Sequence, residues 1–255
     1  MNTPVVEPPA TPSALEGRRL TLIAHLEELR RRLWVSLGAI IVGGAVSLAW
    51  AGQLLHWLQR PAGPWLPQLA FFSPPEAMLA YLQVAITAGV VLAMPVLLYQ
   101  VWAFISPGLT PRERGYGAAF VWWGSLLFVA GAAFAYGGLL PVTLRFLLTF
   151  GGGTLVPVIS VSRYLSFVLM ILLACGVIFQ LPLIIWMLAK LRVVTAAGLR
   201  RKWRHAVVAM TIAAALVTPT TDIATMLLLV VPMLALYEVS IWMAALAGRT
   251  SRSDE

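Results

Sequence analysis

The chain has 255 residues, of which 60% are hydrophobic and 11% are charged, and its mean hydropathy is +0.87. Soluble domains carry about 25% charged residues, so this composition excludes a water-soluble globule and predicts an integral membrane protein. The formal net charge of +8 would suit nucleic acid, but in a membrane protein the basic loops first indicate orientation. A single cysteine, Cys175, excludes a disulfide framework and a cysteine-based metal site.

The N-terminal segment, residues 1–19, is rich in proline and threonine, and we expect a disordered tail there. Beyond it, apolar residues recur at spacings of four, three and four, at Leu22, Leu26, Leu29 and Leu33. This period predicts an amphipathic helix that runs into the first membrane span. Glu28 and Arg32 lie four residues apart, which is the spacing of a favourable ion pair within a helix.

Six long uncharged runs follow, and each is a candidate spanning helix. They are Leu33 to Gln59, Ala77 to Pro111, Gly115 to Leu144, Tyr164 to Ala189, His205 to Thr221, and Ile223 to Tyr237. A span needs about 20 residues, which the first four runs provide. The fifth run, counted from Ala206, offers 16 residues and the sixth 15, so we expect short helices of about 22 to 24 Å that thin the bilayer. The alternative is that Trp203, His205 and residues beyond Glu238 extend both helices to normal length, with the Glu238 carboxylate snorkelling to the surface.

The basic residues predict the orientation. If the N-terminus is inside, 15 of the 18 lysines and arginines fall on the inner side, and the outer side holds only Arg60, Arg145 and Arg163. The positive-inside rule therefore places both termini in the cytoplasm. Residues 20–248 form one six-helix domain, and residues 249–255 form a second cytoplasmic tail. Because this rule accounts for the basic loops, we expect no nucleic-acid partner.

The densest charged cluster combines Glu27 and Glu28 with Arg30 to Arg32. Two interpretations stay open for it. Either the carboxylates pair within their own helix while the arginines meet lipid phosphates, or the acids receive a cationic partner. Glu113, the only acid in the next cytoplasmic segment, is flanked by arginines and suits a local salt bridge worth under about 1 kcal/mol.

Other polar residues lie near or within the spans. Glu76 follows a double proline at the start of the second span, where a structural role at the helix N-terminus is expected. Gln180 lies in the fourth span, beside the helix-kinking Pro182. Asp222 is a natural N-cap for the sixth helix. Glu238, near the end of the last apolar run, is either a functional group or a snorkelling side chain.

Signatures of catalysis are missing from the sequence. Neither H-E-x-x-H nor G-x-S-x-G occurs, and no second intramembrane acid pairs with Glu238. We therefore predict no enzyme activity, no metal site and no cofactor. A small-solute secondary transporter and a passive membrane scaffold remain as alternatives, although no internal repeat supports the transporter.

An ordered series of motifs from about Leu20 to Gly248 resembles the TatC family, the multispanning subunit of the twin-arginine protein translocase. The series is HLEELRRR (25–32), FFSPPEAM (71–78), PVLLYQVWAFISPGL (95–109) followed by RER, FAY (134–136), YLSF (164–167), FQLP (179–182), TPTTD (218–222) and LYEVS (236–240). The resemblance implies an all-α fold of six transmembrane helices in a cupped, concave arrangement, with both termini cytoplasmic and the last two helices short.

The resemblance also implies a function. It predicts a receptor subunit in the cytoplasmic (inner) membrane that binds the twin-arginine signal peptides of folded cargo proteins. It further implies that the subunit recruits single-span partners of the TatA and TatB types and assembles into an oligomer. This predicted role concerns protein export, and it involves no catalysis by this chain.

The family's functional positions map onto individual residues of this sequence. The recognition acids fall on Glu28 and Glu113, with Arg30 and Phe104 in the same surface. Many members carry glutamate at the position of Gln180, and a glutamine is frequent where this chain has Met226. The positions implied for partner contacts or intramembrane polar roles are Gln180, Thr218, Asp222 and Glu238.

Overall fold

A computed structural model describes residues 12–66, 69–149, 158–217 and 223–250. Five of its helical segments are long and apolar enough to span a membrane: Ile23–Leu48, Pro74–Gly108, Gly117–Thr149, Val161–Lys190 and Thr225–Leu246. A sixth, shorter apolar helix covers Trp203–Leu216. The predicted all-α membrane fold with six helices is therefore confirmed.

Several spans consist of more than one helix. In chain order the α-helices are α1 (Pro12–Leu48), α2 (Ala51–Gln59), α3 (Pro74–Ile105), α4 (Pro111–Arg114), α5 (Gly117–Phe134), α6 (Leu140–Thr149), α7 (Val161–Ile178), α8 (Leu181–Lys190), α9 (Ala196–Arg201), α10 (Trp203–Val217) and α11 (Ile223–Thr250). A π-helical turn at Ala135–Leu139 joins α5 to α6. The first helix begins eight residues before the predicted domain boundary at Leu20.

The chain order defines two faces of the bundle. The basic face carries the start of α1, the loops at 106–116 and 191–202, and the end of α11. The opposite face carries the segments at 49–66, 69–73 and 158–160. We use these two names below.

The fourth span, formed by α7 and α8, is the most deeply buried and lies at the centre of the fold. One core cluster surrounds Leu165, Val168 and Ile171 and extends to α11. A second cluster, around Trp102 and Phe128, joins α3, α5 and α8. The first span is the least buried, so most of its apolar surface is left for lipid or for a partner.

Helix α1 packs along α3 through a close crossing of glycines. A Cβ atom on Gly43 would lie 2.8 Å from the carbonyl oxygen of Gly89, so any larger side chain would push the helices apart. Small residues of this kind allow two membrane helices to approach through their backbones. This crossing positions the start of α1 beside the end of α3, where the candidate site lies.

Glu76 holds the opposite face together. Its carboxylate accepts hydrogen bonds from the backbone N–H of Phe72 at 2.7 Å, from that of Ser162 at 3.2 Å, and from the hydroxyl of Ser160. An isolated parallel bridge between Ala70 and Ser160 lies beside it. The structural role predicted for Glu76 fits this geometry, but the carboxylate joins two segments rather than only completing its own helix.

The lengths of the last two helices correct the sequence analysis. Helix α10 has 15 residues and is short, as predicted. Helix α11 has 28 residues and is about 42 Å long, so the prediction of a short sixth helix is wrong. A single carboxylate at Glu238 does not end the helix, because it is exposed and bonded to side chains at the basic face.

Candidate functional site

The predicted ion pair between Glu28 and Arg32 is present on α1. The Nε and Nη2 groups of Arg32 both donate to Oε1 of Glu28, the former at 3.0 Å. The same guanidinium donates to Oε1 of Gln100 at 3.4 Å and to the carbonyl of Ala103 at 3.1 Å. Arg32 therefore connects the carboxylate of Glu28 on α1 to the end of α3.

Phe104 lies beside this network. Its ring stacks on His25 with 4.5 Å between the ring centroids and 25° between the ring planes. Since His25 lies one turn before Glu28, Phe104 and Glu28 lie at the same α1–α3 contact. This contact fixes where the carboxylate of Glu28 is presented.

Glu113 has a partner that the sequence analysis did not name, and the side chain of its neighbour Arg112 lies outside the described residues. Its Oε2 accepts from the backbone N–H of Thr110 at 3.1 Å and from the Thr110 hydroxyl at 2.8 Å, so that it caps α4. The flanking Arg114 donates instead to the carbonyls of Leu109 and Pro107, at 3.3 and 3.4 Å. These bonds tie the two ends of the loop to α4, in which Glu113 is half-buried.

A signal for this cap was present in the sequence. Threonine followed three residues later by glutamate, with proline at the first helical position, is the pattern of a capped helix start. The sequence analysis missed it because the two arginines beside Glu113 pointed to an ion pair. The cap matters because it orients the carboxylate relative to the loop.

A groove of about 710 Å³ runs between the end of α3 and the start of α5. Its lining includes Tyr99, Trp102 and Trp122, with Ala103 at the α3 side and Arg114 at the loop side. Ala103 is the residue that receives Arg32, and Arg114 is adjacent to Glu113. The groove thus lies between the anchoring points of the two acids, and tertiary packing creates it without any local sequence signal.

Arg30 lies apart from this network. It lines a shallow depression on the exposed side of α1 with Glu27, Arg31 and Trp34. Two residues correspond to about 200° around a helix, so Arg30 and Glu28 project in nearly opposite directions. The structure therefore brings together Glu28 and Phe104, and links them to the Glu113 loop through the groove, but it leaves Arg30 on another surface.

Gln180 lies at the break between α7 and α8 and is 5% exposed. Its Nε2 donates to the carbonyl of Gly124 on α5 at 2.9 Å. Its Oε1 is buried and, among the described residues, has no hydrogen-bond partner. The amide therefore joins the fourth span to the third span of this same chain, and a partner helix would reach it only by opening that contact.

Glu238 faces the basic side of the bundle and is 47% exposed. Its Oε1 accepts from the indole N–H of Trp203 at 2.9 Å, and its Oε2 lies 4.0 Å from Nη2 of Arg200. This geometry matches the snorkelling alternative. Thr218 and Asp222, the other two residues implied for partner contacts, lie outside the described residues.

The geometry can receive a cationic ligand. Two carboxylates are presented at the basic face, with an aromatic groove between their anchoring points. Among the described residues, no group of three His, Cys, Asp or Glu side chains is placed to hold a metal ion. A guanidinium-bearing extended segment with apolar neighbours matches this combination of charge and surface.

Comparison with known proteins gives a consistent result. The sequence profile of the family described as "Sec-independent protein translocase protein (TatC)" matches residues 24–232. A TatC protein of Carboxydothermus hydrogenoformans is 36% identical over 230 residues, which cover 90% of this chain and 95% of that protein. A chloroplastic TATC protein of Arabidopsis thaliana is 37% identical, with 92% and 69% covered.

A solved structure shares the fold. The crystal structure described as the twin-arginine translocase receptor TatC superposes with a TM-score of 0.78 at 34% identity. The superposition covers 88% of this chain and 99% of the solved chain.

Proposed function

Because the chain belongs to the TatC family of Sec-independent protein translocase subunits, we propose that its basic face receives the paired arginines of a twin-arginine signal peptide. In this proposal Glu28 and Glu113 each bind one guanidinium group. The groove between α3 and α5 accommodates the adjoining part of the peptide. The chain acts as a receptor within a translocase and not as an enzyme.

One observation supports the proposal most directly: Glu28 already binds a guanidinium, that of Arg32. A signal-peptide arginine would take the same place by exchange. Charge-assisted bonds from a planar guanidinium are among the strong hydrogen bonds, whereas a lysine ammonium presents a single point charge. Exchange with Arg32 would therefore favour arginine over lysine, because the incoming group must match the bonds it replaces.

Glu113 can take part without losing its structural role. Both capping bonds from Thr110 fall on Oε2. A guanidinium that approaches Oε1 would leave the cap of α4 intact. The cap would then hold the carboxylate ready for binding, which lowers the ordering cost of association.

The proposal extends to orientation and partners. We place both termini in the cytoplasm and the chain in the cytoplasmic membrane, on the distribution of 15 of 18 basic residues. Family membership implies further Tat subunits in general, and we propose single-span partners of the TatA and TatB types. The exposed apolar face of α1 offers such partners a surface. The proposed polar contacts are Gln180, once its bond to Gly124 opens, together with Thr218, Asp222 and Glu238.

A binding experiment tests the receptor surface. We expect Glu28→Gln and Glu113→Gln each to weaken binding of a twin-arginine peptide to the purified protein by about 10- to 150-fold, since each removes a charge-assisted contact of about 1.5 to 3 kcal/mol. Glu27→Gln is the matched control, because Glu27 neighbours Glu28 but lines the depression on the exposed side of α1.

Unchanged peptide affinity in the Glu28→Gln, Glu113→Gln double variant would refute the proposed site. Family membership would stand, and the receptor surface would have to lie elsewhere on the chain. Size-exclusion profiles that match the wild type show that the variants are folded.

A further inference from the structure

A second groove lies in the half of the bundle nearer the opposite face. It has a volume of about 360 Å³ and is formed by α2, α3, α5 and α7. Its lining is almost entirely apolar and includes Trp57, Ala88, Phe128, Ala132, Tyr136 and Leu173. We call it the α2 groove. It shares no lining residue with the groove beside Glu113.

The length of the α2 groove matches one leaflet of a bilayer. Along α5 and the following turn it extends from Phe128 to Tyr136, and along α3 from Val84 to Val91, or about 10 to 12 Å of helix rise. Half of a hydrocarbon core is about 15 Å. The groove therefore covers most of the depth of one leaflet, in the half of the bundle where α2 lies.

The volume of the groove indicates what kind of group fits. One turn of an α-helix with its side chains fills a cylinder of about 420 to 610 Å³, given a diameter of 10–12 Å and a pitch of 5.4 Å. The α2 groove, at about 360 Å³, holds less than one such turn. A single flexible hydrocarbon chain fits this space, whereas a transmembrane helix of a partner does not enter it.

The end of the α2 groove at Trp57 has a hydrogen bond between its walls and a positive charge beside it. The Tyr136 hydroxyl donates to the carbonyl of Trp57 at 2.8 Å, at the π-helical turn that ends α5. The guanidinium carbon of Arg60 lies 5.5 Å from the centre of the Trp57 ring. Arg60 is exposed, so a cation stands at the mouth of an apolar groove.

We propose that the α2 groove is a phospholipid site. One acyl chain from the leaflet at the opposite face occupies the groove, and the lipid phosphate pairs with Arg60. Arginine recognises phosphate through its planar set of N–H donors, and a basic side chain near an anionic lipid surface contributes favourably to binding. A bound lipid would fill the space between α2 and the spans α3, α5 and α7.

The experiment measures phospholipid that remains bound to the full chain purified in detergent. We expect Arg60→Gln to reduce the bound phospholipid about fivefold, the effect of losing one arginine–phosphate attraction at a membrane surface. Ala132→Leu, which fills the groove, should reduce it at least as much. Arg145→Gln is the matched control, because Arg145 stacks over Trp65, 5.9 Å away, and neither residue lines the α2 groove.

A second measurement locates the acyl chain. The protein is reconstituted in phosphatidylglycerol vesicles with brominated acyl chains, which quench nearby tryptophans, and the difference between wild type and Trp57→Phe isolates the emission of Trp57. We expect the Trp57 signal to be quenched in the wild type and restored by Ala132→Leu. This readout does not depend on purification yield.

Two results would overturn the proposal. Equal bound phospholipid in all three variants would show only unspecific lipid around the protein. Loss in Ala132→Leu with none in Arg60→Gln would show that Arg60 does not hold the lipid phosphate, so the proposed pairing would be wrong.

Discussion

Glu28 and Glu76 are two carboxylates at opposite ends of the packed pair α1 and α3, and they differ in what holds them. Glu76 is 8% exposed, and it accepts from two backbone N–H groups and a serine hydroxyl. Glu28 is half-buried, and its partner is the guanidinium of Arg32. Backbone donors cannot leave without unfolding the segment, whereas a long side chain can turn away. The first carboxylate is therefore part of the fold, and the second is open to exchange.

The strongest test of this difference is Glu76→Gln. The amide keeps the shape of the side chain but removes its charge. One carboxylate oxygen becomes an NH2 group, which cannot accept a hydrogen bond from a donor such as the N–H of Phe72. We expect a loss of about 1.5 to 3 kcal/mol, or roughly 3 to 12 °C in Tm for a chain of this size. Thermal unfolding in detergent measures it.

The peptide affinity of Glu76→Gln tests whether Glu76 takes part in binding. At a temperature where the Glu76→Gln protein is folded, its affinity for a twin-arginine peptide should equal that of the wild type. A variant with normal stability but impaired peptide binding would show that Glu76 belongs to the receptor surface after all.

The two carboxylates also differ in how far the sequence predicted them. The spacing of Glu28 and Arg32 predicted their pair, since helical neighbours four residues apart meet without help from the rest of the fold. The bonds from Arg32 to Gln100 and Ala103 depend on how α1 crosses α3, and no local pattern encodes that crossing angle. The same holds for Glu76, whose partners at Ser160 and Ser162 lie more than 80 residues away.

Hydropathy predicted the number of spans well and the end of the last one poorly. A charged residue in an apolar run was taken as the limit of the sixth helix, but Glu238 reaches Trp203 at the surface and the helix continues to Thr250. With α11 longer than expected, only α10 remains short enough to thin the bilayer, so any thinning stays a prediction about one helix.

Gln180→Leu tests whether the buried amide of Gln180 stabilises the fold, as the carboxylate of Glu76 does. The change removes the hydrogen bond to Gly124, which stabilises the fold by about 0.5 to 1.5 kcal/mol. It also removes the buried Oε1, which has no partner among the described residues and destabilises the wild type by about 1 to 3 kcal/mol. We expect a Tm equal to or slightly above that of the wild type, and unchanged peptide binding.

Transport is the readout that separates the roles of Gln180. If the amide serves a partner subunit, Gln180→Leu will impair assembly or export although the protein is stable. A fall in Tm of several degrees would instead show that Oε1 has a stabilising partner, and Gln180 would then resemble Glu76.

Arg32→Gln tests exchange at Glu28 directly. Removing the internal guanidinium leaves Glu28 without its competitor, and a partly exposed pair of this kind is worth about 0.2 to 1 kcal/mol. We therefore expect twin-arginine peptide to bind up to about fivefold more tightly, and discrimination against a twin-lysine peptide to narrow. Arg31→Gln, on the side of the shallow depression, is the matched control.

Weaker binding of the twin-arginine peptide to Arg32→Gln than to Arg31→Gln would contradict exchange. It would mean that Arg32 orients Glu28 for the ligand instead of competing with it. Glu28 would then still be a binding residue, and only its comparison with Glu76 as an exchangeable group would fail.

Glu238→Gln should have the smallest effect. Glutamine still offers an oxygen to the indole N–H of Trp203, so the change removes only the 4.0 Å ion pair with Arg200. Because that pair is exposed, we expect a loss of less than about 0.5 kcal/mol in stability, and added salt should make this loss smaller still. Peptide affinity should match the wild type, since Glu238 lies beside α9 and α10 and not beside α3.

A tenfold loss of peptide binding in this variant would place the receptor surface at the end of α11. The contrast between Glu28 and the other carboxylates would then no longer hold.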